Sequence, residues 1–389
     1  MIPVCLVFSA HLPRRLRPYN YFDVGRRHDY GDTEGNRRRL RRYEERCYAP
    51  VSELLERLLG RHPRFAFSIA VSGPLLQQLA ESAPGRLRAL RRLVGTGRAE
   101  PLGVTSHHCL PWPISDAELE AQLRLGRALV GEALGREPTV LGGGEPGGSG
   151  LGPFAKACGF EGLLLRGVEP LSGNGRGHVY ATTSGDRLPV IVRDDQISDD
   201  VAIRFSDRRW QAWPLTPEKL GAWIESMPGE VLCLSLDLET FGLTHPRESG
   251  IFEFFEAWVA WTLERQDSEF RTPSRIFDSV SPRQTALTDA FPRGANDLQQ
   301  DALAHLAALE VRIKASGSPA LLEDFRRLSS SDHFEAMALR VGDGAPAEPG
   351  PFESPYEAYM AFRHAVSDLE GRVSRPRPGR ALSAGSRPS

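Results

Sequence analysis

The sequence contains few lysines, no long apolar run and no strong excess of one charge. Its lysines are Lys156, Lys219 and Lys314, arginine supplies the other basic residues, and the formal net charge is -2. Such a balance gives no bias toward nucleic acids or anionic membranes. No stretch approaches the roughly 20 apolar residues that cross a bilayer, and the opening "MIPVCLVFSAHLP" lacks the basic region and apolar length of a signal peptide. We therefore expect a cytoplasmic protein without nucleic-acid or membrane partners, and its oligomeric state stays open.

Several motifs that signal bound metals or phosphates are also missing. The five cysteines form no CxxC pair, and the chain contains no HExxH, HxH or GxxxxGK[ST] pattern. Cys5 and Cys233 lie in strand-like runs, so we expect buried, reduced thiols. The missing spacings argue against a metal site. A set of His, Asp and Glu residues brought together by the fold remains an alternative ligand set for a divalent ion.

Short apolar runs alternate with helical patterns over the first two-thirds of the chain. The runs are mostly continuous, as is typical of parallel strands that are covered on both faces. Repeated strand–helix units imply a parallel sheet with right-handed crossovers. About seven units without a glycine-rich dinucleotide fingerprint favour a (β/α) barrel over a doubly wound sheet. The predicted strands are 4–11, 65–72, 100–108, 139–145, 160–167, 188–195 and 230–239.

The pattern changes near residue 285, where strand-like runs stop. We predict an α/β barrel domain over 1–284 and a helical subdomain over 285–373, packed over the barrel mouth. The remaining segment, 374–389, is rich in Pro, Arg, Ser and Gly, a composition typical of disorder.

Acidic and histidine residues follow several predicted strands. His11 follows the first strand, His108 the third, Glu145 the fourth and Asp237 the seventh. In a barrel these strand ends meet at one mouth, which is where active sites lie. Two carboxylates from different strands are what glycosidic bond cleavage requires, one as nucleophile or base and one as proton donor. For each acid taken alone, helix capping or pairing with an arginine is the competing interpretation.

The first two of these segments resemble motifs of glycoside hydrolase family 57, the α-amylase-like group. The family's first motif is a strand followed by "HQP", and this chain has "HLPRRLRPYNYFDVG" with His11 and Pro13. The second is a Gly-x-x-Glu strand followed by a histidine, which is matched by "GRAEPLGVTSHHCL" through Glu100 and His108.

The third and fourth family motifs fall on the two acids. The strand that ends in the nucleophilic Glu corresponds to Glu145, and the family's "DYETFG" is similar to "DLETFG", which begins at Asp237. The resemblance extends over about residues 3–373. It implies an incomplete (β/α)7-type barrel with a C-terminal helical bundle, no cofactor, and a retaining mechanism on α-glucans. Glu145 would be the nucleophile and Asp237 the acid/base.

The resemblance also implies a set of substrate-binding residues. His11 would hydrogen-bond a sugar hydroxyl, and Asp332 would close the site from the helical subdomain. We add His108 and Glu239 because they accompany the second and fourth motifs. Trp112, which follows the third strand, is the candidate for stacking on a sugar ring.

Departures from the family pattern keep other functions open. Glu145 lies in "GGGEPGG" without the Asn and Thr that accompany the family nucleophile, and Val104 stands where many members have an acid. An α-glucan-binding or regulatory relative with impaired catalysis is therefore the alternative to an active hydrolase or 4-α-glucanotransferase. A metal-dependent hydrolase, such as a polysaccharide deacetylase, is the third.

Overall fold

The computed structural model describes residues 2–142, 149–166, 177–182, 187–265, 269–284, 295–338 and 350–374. The strands are β1 (Val4–Ala10), β2 (Phe67–Val71), β3 (Ala99–Pro101), β4 (Val140–Gly142), β5 (Gly162–Leu165), β6 (Val179–Ala181), β7 (Pro189–Val192), β8 (Leu232–Asp237) and β9 (Arg283–Gln284). The helices of the first two-thirds are α1 (Thr33–Tyr43), α2 (Ala49–Arg61), α3 (Gly73–Ser82), α4 (Pro84–Gly95), α5 (Asp116–Leu134), α6 (Gly152–Ala157), α7 (Asp195–Ala202), α8 (Pro217–Ser226), α9 (Ile251–Glu264) and α10 (Pro273–Phe277). Those that follow are α11 (Asp297–Ala307), α12 (Glu310–Ser316), α13 (Pro319–Leu328), α14 (Ser331–Glu335) and α15 (Pro355–Ser374).

Within the described residues, seven parallel strands form an incomplete barrel. One sheet has the order β3-β2-β1-β8, and the other begins β4-β5-β7. A parallel bridge between Gly103 and Leu141 joins the two sheets on one side. On the other side the Asp194 amide donates to the Cys233 carbonyl at 2.9 Å. The predicted fold class is therefore confirmed.

The apolar strands are buried on both faces, which explains why their sequences are continuous runs of apolar residues. All seven residues of β1 are buried. Inside, Phe8 makes edge contacts with Phe67, Phe241 and Phe255 at ring-centroid distances of 5.7–6.1 Å. Edge-to-face packing of this kind adds to the burial of apolar area that stabilises the barrel.

The helices α11–α15 form a second apolar cluster over one part of the barrel mouth. The cluster includes Phe325, Phe334 and Phe362, and it also takes in Tyr19 and Trp112 from the loops that follow β1 and β3. These helices therefore lie over the carboxyl ends of those strands, where they bring their own side chains to the mouth.

Ion pairs fix the helices to the barrel. Glu118 of α5 is buried and accepts from Arg326 at 2.6 Å, while Lys314 lies 2.9 Å from its other oxygen. Removing one partner of a buried ion pair is costly, because it leaves an uncompensated buried charge. The contact therefore holds α12 and α13 in place against α5.

All seven predicted strands are present, and six of them have ends that differ from the prediction by up to three residues. The prediction for the third strand was too long: β3 ends at Pro101 and not at residue 108, so His108 lies in the loop that follows it. The sequence reading missed β6, which runs antiparallel to β7, the two-residue β9 beside it, and α7. The five cysteines are buried and free, as expected. Apart from Ser374, the predicted tail 374–389 lies outside the described residues. Among the helices of the described part, none has the length and hydropathy to cross a bilayer.

Candidate functional site

The turn after β8 sets the direction of its two acids. The strand ends at Asp237, a 3₁₀ turn follows over Leu238–Thr240, and Gly242 has φ of +90°. A Cβ at Gly242 would lie 1.9 Å from the Arg46 carbonyl oxygen. Only glycine fits this backbone conformation and this close approach. The glycine of "DLETFG" therefore packs the turn against the helical segment around Arg46, next to the mouth.

Asp237 is held by the neighbouring strand. Ser9 and Asp237 are register partners on β1 and β8, and Ser9 Oγ donates to Asp237 Oδ1 at 2.5 Å. The Asp237 side chain is 58% exposed, and an Arg166 guanidinium nitrogen lies 3.9 Å from the same oxygen. The carboxyl group is thus oriented at one oxygen and accessible to a substrate.

Glu239 lies in a different environment from Asp237. The Tyr48 hydroxyl donates to Glu239 Oε1 at 2.7 Å, and the His11 amide donates to the same carboxyl group. Burial, reinforced by the negative charge of Asp237, raises the pKa of Glu239 to about 8. Glu239 is therefore held mainly in its neutral form near pH 7.

His11, His108 and Asp332 form a compact cluster at the ends of β1 and β3. His11 Nδ1 is 2.8 Å from Ser72 Oγ, and His11 Nε2 is 2.9 Å from Asp332 Oδ1. His108 Nδ1 lies 3.5 Å from Asp332 Oδ2, and Ser330 Oγ donates to that oxygen at 2.7 Å. The two imidazole rings stack with centroids 3.7 Å apart. Asp332 thus fixes both histidines from the helical side.

The chain around α14 brings Asp332 to this position. The Ser331 amide donates to the His108 carbonyl at 2.8 Å, and Ser331 Oγ lies 3.0 Å from His108 Nδ1. Burial alone would raise the pKa of Asp332. The charge of His11 and the hydrogen bonds from both histidines outweigh burial and hold this pKa well below its usual range.

The same three residues are close enough to hold a metal ion, since one ligand atom from each lies within 4.8 Å of the others. The ring geometry does not suit one. The imidazole planes are inclined by only 13° and the ring centroids are 3.7 Å apart, so the in-plane lone pairs lie in two separate, nearly parallel planes and do not meet at one point. Metal coordination needs ring nitrogens directed at the ion. We therefore interpret the cluster as a hydrogen-bonded one.

The other predicted residues have distinct environments. Trp112 is half-buried and packs 6.0 Å from the Phe334 ring. Glu145 lies outside the described residues, and β4 ends at Gly142. Two further strand-end acids have structural partners: Asp194 caps α7, and Asp195 accepts from Arg193 at 2.6 Å. For these two acids the competing interpretation of capping and arginine pairing is correct.

Sequence reasoning missed the neutral residues that position the site. Ser9, Ser72 and Tyr48 contact Asp237, His11 and Glu239, respectively. Ser9 lies one residue before the end of β1, and Ser72 follows β2 directly. A polar residue at the end of an otherwise apolar strand is the sequence feature that could have identified these two serines as site residues.

Comparison with known proteins gives a consistent result for both sequence and fold. The profile of glycosyl hydrolase family 57 matches residues 5–289. A Methanocaldococcus jannaschii protein named "Putative alpha-amylase" is 26% identical over 93% of this chain and 83% of its own length.

Solved structures with similar folds are much more distant in sequence. The 4-alpha-glucanotransferase of Thermococcus litoralis has a TM-score of 0.65 at 14% identity; the match covers 86% of this chain but only 56% of that enzyme. The alpha-amylase AmyC of Thermotoga maritima has a TM-score of 0.61 at 13% identity, covering 96% and 94% of the two chains. A GH57 branching enzyme of Thermococcus kodakaraensis has a TM-score of 0.62 at 14% identity, covering 86% and 85%. At these identities the likeness shows the fold.

Proposed function

The chain belongs to glycosyl hydrolase family 57, and from this premise we propose that it is a retaining hydrolase or transglycosylase of α-glucans. The related proteins are named as an amylase, a glucanotransferase and a branching enzyme. α-Glucan is the substrate class that these names share. The matched region includes every strand that supplies a residue to the described mouth.

Glu145 and Asp237 carry the proposed reaction. The Glu145 carboxylate attacks the anomeric carbon while Asp237 gives its proton to the departing glycosidic oxygen. A covalent glycosyl–enzyme forms, and the remainder of the chain leaves as an alcohol. Asp237, now ionised, takes a proton from water or from an acceptor sugar hydroxyl, which then displaces Glu145 from the anomeric carbon.

One observation supports this proposal most strongly. Asp237 projects from the end of β8, is oriented by Ser9, and remains open to a substrate. The strand β4 ends at Gly142, three residues before Glu145, and it runs parallel to the strands on both sides. Parallel strands present their carboxyl ends at one face of a barrel. The two acids thus follow strands that end at the same mouth.

The cluster around His11 supplies the proposed substrate contacts. A groove of about 310 Å³ lies between the loop after β1 and the helical region; Asp332 lines it, whereas His11, His108 and Asp237 do not. His108 would donate to a sugar hydroxyl, whereas both ring nitrogens of His11 already contact Ser72 and Asp332, so His11 would act by stacking on the His108 ring. Glu239 lies beside Asp237 in its neutral form and can donate one hydrogen bond to a sugar oxygen. Trp112 would contribute an aromatic contact at the edge of the site.

Paired substitutions test the two catalytic assignments. Reducing-sugar release from soluble starch and from maltoheptaose is measured for wild type, Glu145→Gln and Asp237→Asn. We expect each variant to lose roughly 10²–10⁴-fold in kcat. Asp195→Asn is the matched control, because Asp195 also follows a barrel strand but pairs with Arg193. Wild-type activity in Asp237→Asn, or an equal loss in Asp195→Asn, would refute the assignment.

The second candidate function is glucan binding with impaired catalysis. It is favoured by the sequence around Glu145, "GGGEPGG", which lacks the Asn and Thr that accompany the family nucleophile, since small displacements of a catalytic group cost large factors in rate. This candidate predicts that the wild-type protein binds maltoheptaose but releases no reducing sugar. In that case binding would be unchanged in Asp237→Asn, and activity would be absent in both proteins.

A further inference from the structure

Two adjacent aromatic side chains project into solvent from the loop that follows β1. Tyr21 is 72% exposed and Phe22 is 76% exposed. Their rings lie 5.9 Å apart and are inclined by 77°. Isolated exposed apolar residues are ordinary on protein surfaces. Two large exposed aromatic rings in contact with each other are less common, and contiguous exposed apolar surface is typical of a binding site.

The backbone beneath the two rings is fixed by hydrogen bonds. Tyr21–Asp23 is a 3₁₀ turn whose capping residue, Asn20, accepts from the Phe22 amide at 2.9 Å. Asp23 accepts from the Asn20 amide at 3.1 Å and from Arg17 at 3.0 Å. The exposure of the rings is therefore a consequence of an ordered turn, and local refolding cannot bury them cheaply.

The turn lies on the same end of the barrel as the candidate catalytic site. It follows β1, whose carboxyl end carries His11, and it is tied to α15. The Gly25 amide donates to the buried Asp368 at 2.7 Å, and the His364 ring lies 6.4 Å from that of Tyr21. The two rings therefore lie on the end of the barrel at which a long substrate would leave the mouth.

We infer that Tyr21 and Phe22 form a secondary binding platform for an α-1,4-linked glucan chain. Aromatic rings bind sugars by stacking on their apolar C–H faces, and a neutral polymer suits a turn in which Asp23 offsets the charge of Arg17. The two rings meet edge to face and therefore present a non-planar surface. An α-1,4-glucan curves, so that its successive sugar faces turn, and a non-planar surface suits it better than the extended ribbon of a β-1,4-glucan. The inference takes its substrate class from the proposed function.

The test measures binding without turnover. Asp237→Asn protein, with and without Tyr21→Ala/Phe22→Ala, is run on native gels containing soluble starch. We expect the added double substitution to weaken starch binding about tenfold. Val311→Ala is the matched control, because Val311 is 78% exposed on α12. Phe22→Ser, which alters one ring only, should give an intermediate loss and checks that the effect follows the number of rings.

Further measurements distinguish an α-glucan from other ligands of the two rings, and distinguish this proposal from the catalytic one. On native gels that contain hydroxyethyl cellulose instead of starch, we expect no retardation of the protein. In protein that retains Asp237, we expect Tyr21→Ala/Phe22→Ala to raise the KM for starch but not the KM for maltotriose. The inference is overturned if wild type does not bind starch, if the double variant binds it equally, or if the cellulose derivative binds as well. It is also overturned if the double substitution lowers the oligomeric state in light scattering, which would identify a contact between copies of this chain. If binding depends on the rings but wild type is inactive, the platform stands and the catalytic proposal fails.

Discussion

Replacing Glu239 by Gln should make stability less dependent on pH. Burial and the charge of Asp237 raise the Glu239 pKa from 4.5 to about 8. In the unfolded chain Glu239 ionises near its ordinary pKa, so wild type loses stability as pH rises from about 4.5 to about 8. At about 1.4 kcal/mol per pH unit this loss is at most about 5 kcal/mol. Partial exposure of the side chain lowers the expected value further. Glutamine resembles the neutral form and cannot ionise.

The assay is urea unfolding of wild type and Glu239→Gln across this pH range. The stability of the variant minus that of wild type should grow as pH rises and level off above about pH 8, because other titrating groups cancel in the difference. In an Asp237→Asn background the growth should be smaller, since the charge of Asp237 also raises this pKa. A difference that does not change with pH, or that grows only as pH falls, would refute the reasoning.

Three other predictions concern the turn, the cluster and metal binding. Gly242→Ala should lower the free energy of unfolding by more than about 2 kcal/mol, because the added Cβ would meet a backbone oxygen. The control Gly60→Ala, at an open helical position, should be neutral or stabilising. Equal losses of stability for the two variants in urea titrations would contradict this account. Asp332→Asn should lower kcat/KM at least about tenfold by releasing His11 and His108, and unchanged kinetics in a folded variant would exclude the positioning role. Metal analysis of protein purified without chelator should find less than about 0.1 equivalent of zinc per chain, and EDTA should leave the activity unchanged. One equivalent of zinc per chain, together with loss of activity in EDTA, would favour the deacetylase-like alternative.

The fold was predictable because parallel strands leave a strong sequence signal. Continuous runs such as β1 and β8 are buried on both faces, and regular helical patterns separate them. The strands β6 and β9 were missed because they fall outside the alternation of parallel strands and helices. β6 runs antiparallel to β7 with no helical pattern between them in the sequence, and β9 pairs with β6 over two residues only.

The site was predictable at its charged residues and less so at their partners. The positions of Asp237 and Glu239 followed from a strand end and a recognisable motif. Their different environments did not, because these depend on Ser9 and Tyr48, which lie 228 and 191 residues away from them along the chain. Such contacts arise only once the barrel is assembled. The same limit applies to Asp332, whose link to His11 spans 321 residues.

The stereochemistry of the first product tests the central claim most directly. Proton NMR of a maltoheptaose digest, recorded before mutarotation, distinguishes α- from β-anomers at the newly released reducing end. Two carboxylates that act as nucleophile and acid/base predict the α-anomer first, with the signal absent in both Glu145→Gln and Asp237→Asn. Early release of the β-anomer, or an undiminished α-signal in either variant, would contradict the proposed mechanism.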